Sequence, residues 1–108
     1  MTHTPYQIVF MTAANVEEAE RIARALVADG LAACVNMVDS CRSVYRWKGE
    51  IIKDSEVLMI AKTHRDRFAD VERRVTELHS YDVPEIIAVD LSSVATGYRG
   101  FLEDMLGS

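Results

Sequence analysis

Between His79 and Glu85 the chain places an imidazole, a phenol and two carboxylates around a single proline. A nitrogen and a carboxylate across one turn suit Zn²⁺ or Cu²⁺, which take imidazole and oxygen ligands. His79 and Glu85 are therefore candidate metal ligands. The same residue types have structural uses. His79 can be a cation at a helix C-terminus, complementing the macrodipole. Glu85 can be a hydrogen-bond or salt-bridge partner for a neighbouring chain. Tyr81 and Asp82 can hold a turn, because an aspartate bonds its own backbone two residues on. Sulfur is available at Met11, whose thioether could bind Cu(I), and at Cys34 as a soft ligand facing a cleft. Both also fit a core.

Cys34 and His79 could in principle act as nucleophile and base. No third orienting residue or oxyanion device accompanies them. The chain has no C-x-x-C, H-x-H, phosphate-cradling glycine loop or G-x-S-x-G, so the expectation is a protein that is not an enzyme. His3 falls in a tail, and His64 opens a helix as a partly solvated, inert side chain.

The elements that position these residues follow from pattern. Tyr6 to Thr12 is rich in β-branched and aromatic residues and reads as a buried strand. Asn15 and Glu18 form a capping box, Val16, Ala19, Ile22, Ala23, Leu26 and Val27 recur at helical spacing, and Gly30 stops the helix. Residues 31–46 and 50–62 are extended, joined by a tight turn at Lys48-Gly49. Asp39-Ser40 interrupts the first of them with a bulge or bend. Thr63 caps a second helix with Asp66 at its third position. Phe68, Val71, Val75 and Leu78 line that helix on one side, and its solvated face pairs Asp70 with Arg74. Pro84 pushes Val83 into extended conformation, so the helix ends before it and a strand, 86–91, opens after it. A short helix over 98–106 closes the chain.

This order, β-α-β-β-α-β plus a tail helix, predicts an α+β ferredoxin-like sandwich: one antiparallel sheet with both long helices on one face. The domain spans residues 1–108 as a single unit. The opposite face of the sheet should then alternate with polar residues if water covered it. It does not: Val35, Met37 and Val38 fall on both sides of one strand, and Val57 to Ile60 leave no polar side in the next. Such a sheet needs a second subunit. The hairpin tip extends past the length the sheet requires, and an isolated ribbon is marginal in water. Tyr45, Trp47 and Ile51 are therefore candidate interface residues on an arm that pairs with a neighbour.

Composition excludes several classes. The 108 residues are 49% apolar and 27% charged, ordinary for one globular domain, with a net charge of −5. That charge opposes non-specific binding to nucleic acid or anionic membranes. The apolar run Ile8 to Met11 is too short for a signal-peptide core, no stretch approaches a membrane span, and the expected compartment is the cytoplasm. Cys34 and Cys41, on one regular strand, would lie about 23 Å apart on opposite faces. They are read as free thiols.

His79 to Ile87 also resembles the H-x-Y-x-x-P-E-[IL] signature of the CutA family, the divalent-cation-tolerance proteins. Leu31 to Asn36, Ser43 to Ile51, Glu56 to Thr63 and Tyr98 to Leu102 agree with that family in order and spacing. Ser80 stands where the family often has proline, and Phe101 where tryptophan is usual, keeping an aromatic anchor. The resemblance implies a homotrimer whose hairpins extend the sheets of adjacent subunits. It also implies a non-enzymatic role in tolerance of divalent, copper-class metals, bound weakly between subunits and not required for folding. A copper site assigned in one branch of the family lands on Met11, Leu78 and Glu85, with His79 beside the second position. An alternative is a trimeric sensor similar in plan to the PII-type proteins, or a scaffold that anchors a protein partner. The chain lacks the long signalling loop and the basic, glycine-containing phosphate site of the PII type.

Overall fold

The structure, a computed structural model, describes residues 4–107; His3 lies outside them. The elements are β1 (Tyr6–Ala13), α1 (Val16–Ala28), β2 (Cys34–Trp47), β3 (Glu50–His64), α2 (Phe68–Leu78), β4 (Ile86–Asp90) and α3 (Thr96–Leu106), with a 3₁₀ turn at Arg65–Arg67 before α2. The strands form one antiparallel sheet in the order β2-β3-β1-β4. This is the α+β order and sheet expected from the pattern.

Local chemistry sets the ends of α1. The Asn15 side chain accepts from Glu18 N at 2.8 Å. The reciprocal half of the box does not form, because the Glu18 carboxylate takes the Ala14 N–H instead, at 2.9 Å. At the other end Gly30 has φ +71°, a conformation that costs a side chain strain. Asn15→Ala should lower the unfolding free energy by about 1 kcal/mol, read as a lower urea midpoint at unchanged slope.

The β2–β3 hairpin turns at Lys48 (φ +51°) and Gly49 (φ +81°), two left-handed residues that match strand twist. Pairing runs Val38↔Leu58 and then Cys41↔Glu56, so Asp39 and Ser40 both oppose Val57. That is the expected bulge; Ser40 sits at φ +61° with its N–H on the Asp39 carboxylate. The extra residue inverts the alternation of β2 beyond it. Cys34 and Cys41 therefore fall on the same face of the sheet, not on opposite faces as regular alternation predicts. Both thiols are free.

α1 and α2 cover one face. Val9, Met11, Ala13, Val57, Met59 and Ala61 from the sheet pack against Ala19, Ile22, Ala23 and Leu26 of α1 and Val71 and Val75 of α2. The start of α2 differs from expectation. Thr63 stays in β3, where its hydroxyl donates to Leu31 O at 2.6 Å, and His64 supplies the cap, with Nδ1 accepting from Asp66 N at 3.1 Å. His64 is accordingly buried, not solvated. The charged face of α2 also pairs differently. Arg74 bonds Asp29, which caps the end of α1, at 2.9 Å, and Asp70 bonds Arg73 at 2.9 Å. Arg67 leaves that face to donate to the carbonyls of Gly30 and Leu106, tying α1 and α3 together.

α3 begins at Thr96, two residues before the apolar pattern that announced it. Leu102 and Leu106 pack with Tyr6 and Ala33, and Tyr6 Oη donates to Gly107 O at 2.7 Å. Phe101, expected as the aromatic anchor, lies on the solvent side against Tyr98, ring centroids 5.4 Å apart. Leu102, next in sequence, takes the buried position because it faces Tyr6.

The second face of the sheet is apolar and largely uncovered. By alternation it carries Ile8 and Phe10 of β1, Leu58 and Ile60 of β3, Val38 of β2, and Ile87 and Val89 of β4. Val38, Ile87 and Val89 are among the exposed large hydrophobic residues.

Candidate functional site

Beyond the bulge, the arm formed by residues 41–47 and 50–56 curls toward the segment between α2 and β4, and a cavity of about 620 Å³ opens between them. Ser43, Val44, Tyr45 and Trp47 line it from the arm, Thr12 and Glu56 from the sheet, and Tyr81, Asp82, Val83 and Glu85 from the turn. Three of these side chains are carboxylates, three are aromatic, and none is basic.

Glu56 is the inner carboxylate, 7% exposed. Its Oε2 accepts from Tyr81 Oη at 2.8 Å. Tyr45 Oη donates in the same way to Asp54. Burial and the Glu56 hydrogen bond push the Tyr81 phenol well above its ordinary pKa, and the Asp54 hydrogen bond raises that of Tyr45, so both stay protonated donors at neutral pH.

The turn is held by a buried network. The His79 side chain is 1% exposed. Its Nδ1 accepts from Tyr81 N at 3.0 Å, and its Nε2 lies 2.7 Å from Thr12 O. A ring nitrogen against a carbonyl must carry the proton, and one against an N–H must not, so these partners select the neutral Nε2–H tautomer. Glu18 sits 3.8 Å from the same Nε2, and its Oε1 accepts from Ser80 N at 2.8 Å. Burial alone would raise the Glu18 carboxyl. The hydrogen bonds from Ala14 and Ser80 outweigh it and hold the group below its usual range.

The structure does not bring the three expected metal ligands to one place. Glu85 lines the cavity. His79 has both ring nitrogens engaged in holding the turn. Met11 is wholly buried on the helix-covered face, where alternation points it away from the cavity. Among the described residues no three His, Cys, Asp or Glu side chains are grouped to hold a metal ion. Cys34 meets Tyr98 Oη at 3.7 Å while His79 is held by Thr12 and Tyr81, so the two do not form a nucleophile–base pair. The candidate interface residues Tyr45, Trp47 and Ile51 are exposed along the arm.

Pattern reading passed over Glu56 and Glu18. Glu56 had a signal: it opens the apolar run Val57 to Ala61, and a charge at the edge of a buried strand needs a partner. Glu18 was legible as a cap residue, but its second bond, to Ser80, spans 62 positions and leaves no trace in local spacing. Tyr81 and Asp82 looked like turn residues alone, and both also face the cavity.

Comparison with known proteins places this geometry. The family model of the CutA1 divalent ion tolerance protein matches residues 7–105. The divalent-cation tolerance protein CutA of Thermus thermophilus is 41% identical over 101 residues, 94% of this chain and 98% of its own length. The chloroplastic protein CutA of Arabidopsis thaliana is 37% identical over 93% of this chain, which spans only 55% of that relative. The crystal structure of CutA from Xylella fastidiosa superposes with a TM-score of 0.92 at 32% identity, covering 95% of this chain and 99% of that one. On the family model's match over residues 7–105 and the identity and superposition of these relatives, the chain belongs to the CutA1 family of divalent ion tolerance proteins.

Proposed function

We propose that this protein is a non-enzymatic, homotrimeric metal-tolerance protein of the cytoplasm that takes divalent cations weakly in clefts between subunits. The observation that carries the reading is the cavity itself. Glu56, Asp82 and Glu85 line it with no basic side chain to balance them, and it lies at the rim of an uncovered apolar sheet face. A neighbouring copy seated on that face would wall the cavity and add donors to a set that is incomplete within one chain. The relatives' names supply the cation class.

The donors fit oxygen-seeking divalent ions better than copper. Copper preference rests on imidazole and sulfur ligands, and here His79 is sealed in the turn and Met11 is in the core. The cavity offers carboxylates and hydroxyls, which suit ions that keep part of their water shell. Calorimetric titration with Mn²⁺, Zn²⁺ and Cu²⁺ should give dissociation constants no tighter than about 10⁻⁵ M, and Glu85→Ala should weaken them about tenfold. Binding that is absent, or indifferent to Glu85→Ala, removes the cleft as the cation site.

The three aromatic walls favour a second reading, a sensor that takes an organic ligand in the same cleft.

A further inference from the structure

Glu56 is a buried carboxylate without a counter-charge. It is 93% removed from water, yet among the described residues it enters no ion pair, and its one hydrogen bond comes from a neutral phenol. A buried charge left so is costly, and such groups are found paired. A cation taken up in the cavity that Glu56 lines would supply the missing charge.

The cavity specifies what kind of cation. A metal ion would make little use of Tyr45, Trp47 and Tyr81, three of the residues that line the wall. An organic ammonium group would use them, since aromatic faces attract cations within about 6 Å and the attraction grows when water is excluded. Tyr45 and Tyr81 each donate their hydroxyl to a carboxylate, which leaves more electron density on the ring. Val44 and Val83 provide apolar surface for a hydrocarbon body. Asp82 and Glu85 provide a second patch of negative charge at the turn. About 620 Å³ is within the range of small-molecule sites.

We propose that the cavity binds a protonated aliphatic diamine, with one ammonium group on Glu56 between the aromatic rings and the other on Asp82 and Glu85. An N–H cation fits better than a quaternary one, because the Glu56 carboxylate is available as an acceptor. This inference rests on the reading of the cavity as a cation site and names a ligand class for it.

Trp47 is the only tryptophan in the chain and lines the cavity, so its fluorescence reports occupancy at the site. Titration of the assembled protein with pentane-1,5-diamine at fixed ionic strength should give a saturable change with a dissociation constant of about 1 mM or tighter. Pentan-1-amine should bind at least about tenfold more weakly and pentan-1-ol not at all. Glu56→Gln keeps an acceptor for Tyr81 and removes the charge, and it should weaken the diamine at least about tenfold. Glu72→Gln, on the exposed side of α2, should leave it unchanged. Three results overturn the proposal: no saturable change with the diamine, equal loss in Glu72→Gln and Glu56→Gln, or equal binding of the alcohol. Metal titration by calorimetry is scored separately. Metal binding without diamine binding refutes this inference and leaves the metal reading standing; diamine binding without metal binding does the reverse.

Discussion

Glu18→Ala should lower the unfolding free energy by about 3–5 kcal/mol, the range for breaking a buried, hydrogen-bonded charge network. Glu18 is 4% exposed and joins three elements. One oxygen accepts from Ala14 N at the end of β1, the other from Ser80 N after α2, and the carboxylate lies beside the His79 ring. Alanine leaves the part-buried N–H groups of Ala14 and Ser80 without their acceptor. Glu18→Gln tests the same point more finely. Its amide has one acceptor oxygen for two donors on different sides, so one N–H must face the NH₂ group, and part of the loss should remain. Guanidinium unfolding at one fixed protein concentration measures both. A loss below about 1 kcal/mol for the alanine variant would show that the network does not anchor the turn.

The same carboxylate sets a pH dependence. Its folded pKa is depressed below the ordinary 4.5, so the folded state binds its proton less tightly than the unfolded state does. The stability it contributes is complete above about pH 4.5 and drains away as pH falls through the lower folded value. As pH falls below 4.5 the parent should lose stability more steeply than Glu18→Gln, which has no proton to gain there. Parallel slopes would remove this assignment.

How far these features could be read from the sequence depends on the distance over which each is encoded. Helix periodicity, the Lys48-Gly49 turn, the Pro84 break and the bulge at Asp39-Ser40 all depend on neighbours a few positions away, and each emerged as expected. The fold followed, because short-range elements in that order leave few right-handed, unknotted arrangements. The bulge's consequence was harder. One inserted residue reverses every later side chain in β2, and so moved Cys41 and the whole inner face of the arm. The site was least legible. His79 and Glu85 stand six positions apart and read as a pair, but a proline and a network reaching to Glu18 and Thr12 turn the imidazole inward and leave the carboxylate outside. Their spacing carried nothing about which side of the backbone each would occupy.

Ile87→Asp should have an effect that its surroundings in a single chain do not explain. Ile87 is 56% exposed, and a substitution at such a position in a lone chain changes stability by no more than about 0.5 kcal/mol. Its setting argues for a larger effect. It pairs with Phe10 on the uncovered face, two residues from Val89 on its own strand, and Phe10 in turn pairs with Ile60. It lies on β4, an edge strand whose run Ile86 to Val89 has none of the charges or prolines that blunt edges against pairing. The arm of a second copy, with Ile51 exposed on the face opposite Trp47, is of the right form to add there. If copies share this face, an aspartate at 87 buries an unpaired carboxylate in each of them, at a cost of several kcal/mol per chain. Sedimentation should then find single chains in place of the proposed trimer, and the thermal midpoint should fall and vary with protein concentration. Cation binding in the cleft should fall with it, although Ile87 does not line the cavity, because the second wall would be gone. An Ile87→Asp chain that sediments, melts and binds as the parent does would mean that water covers this face and that the cavity is complete in one chain.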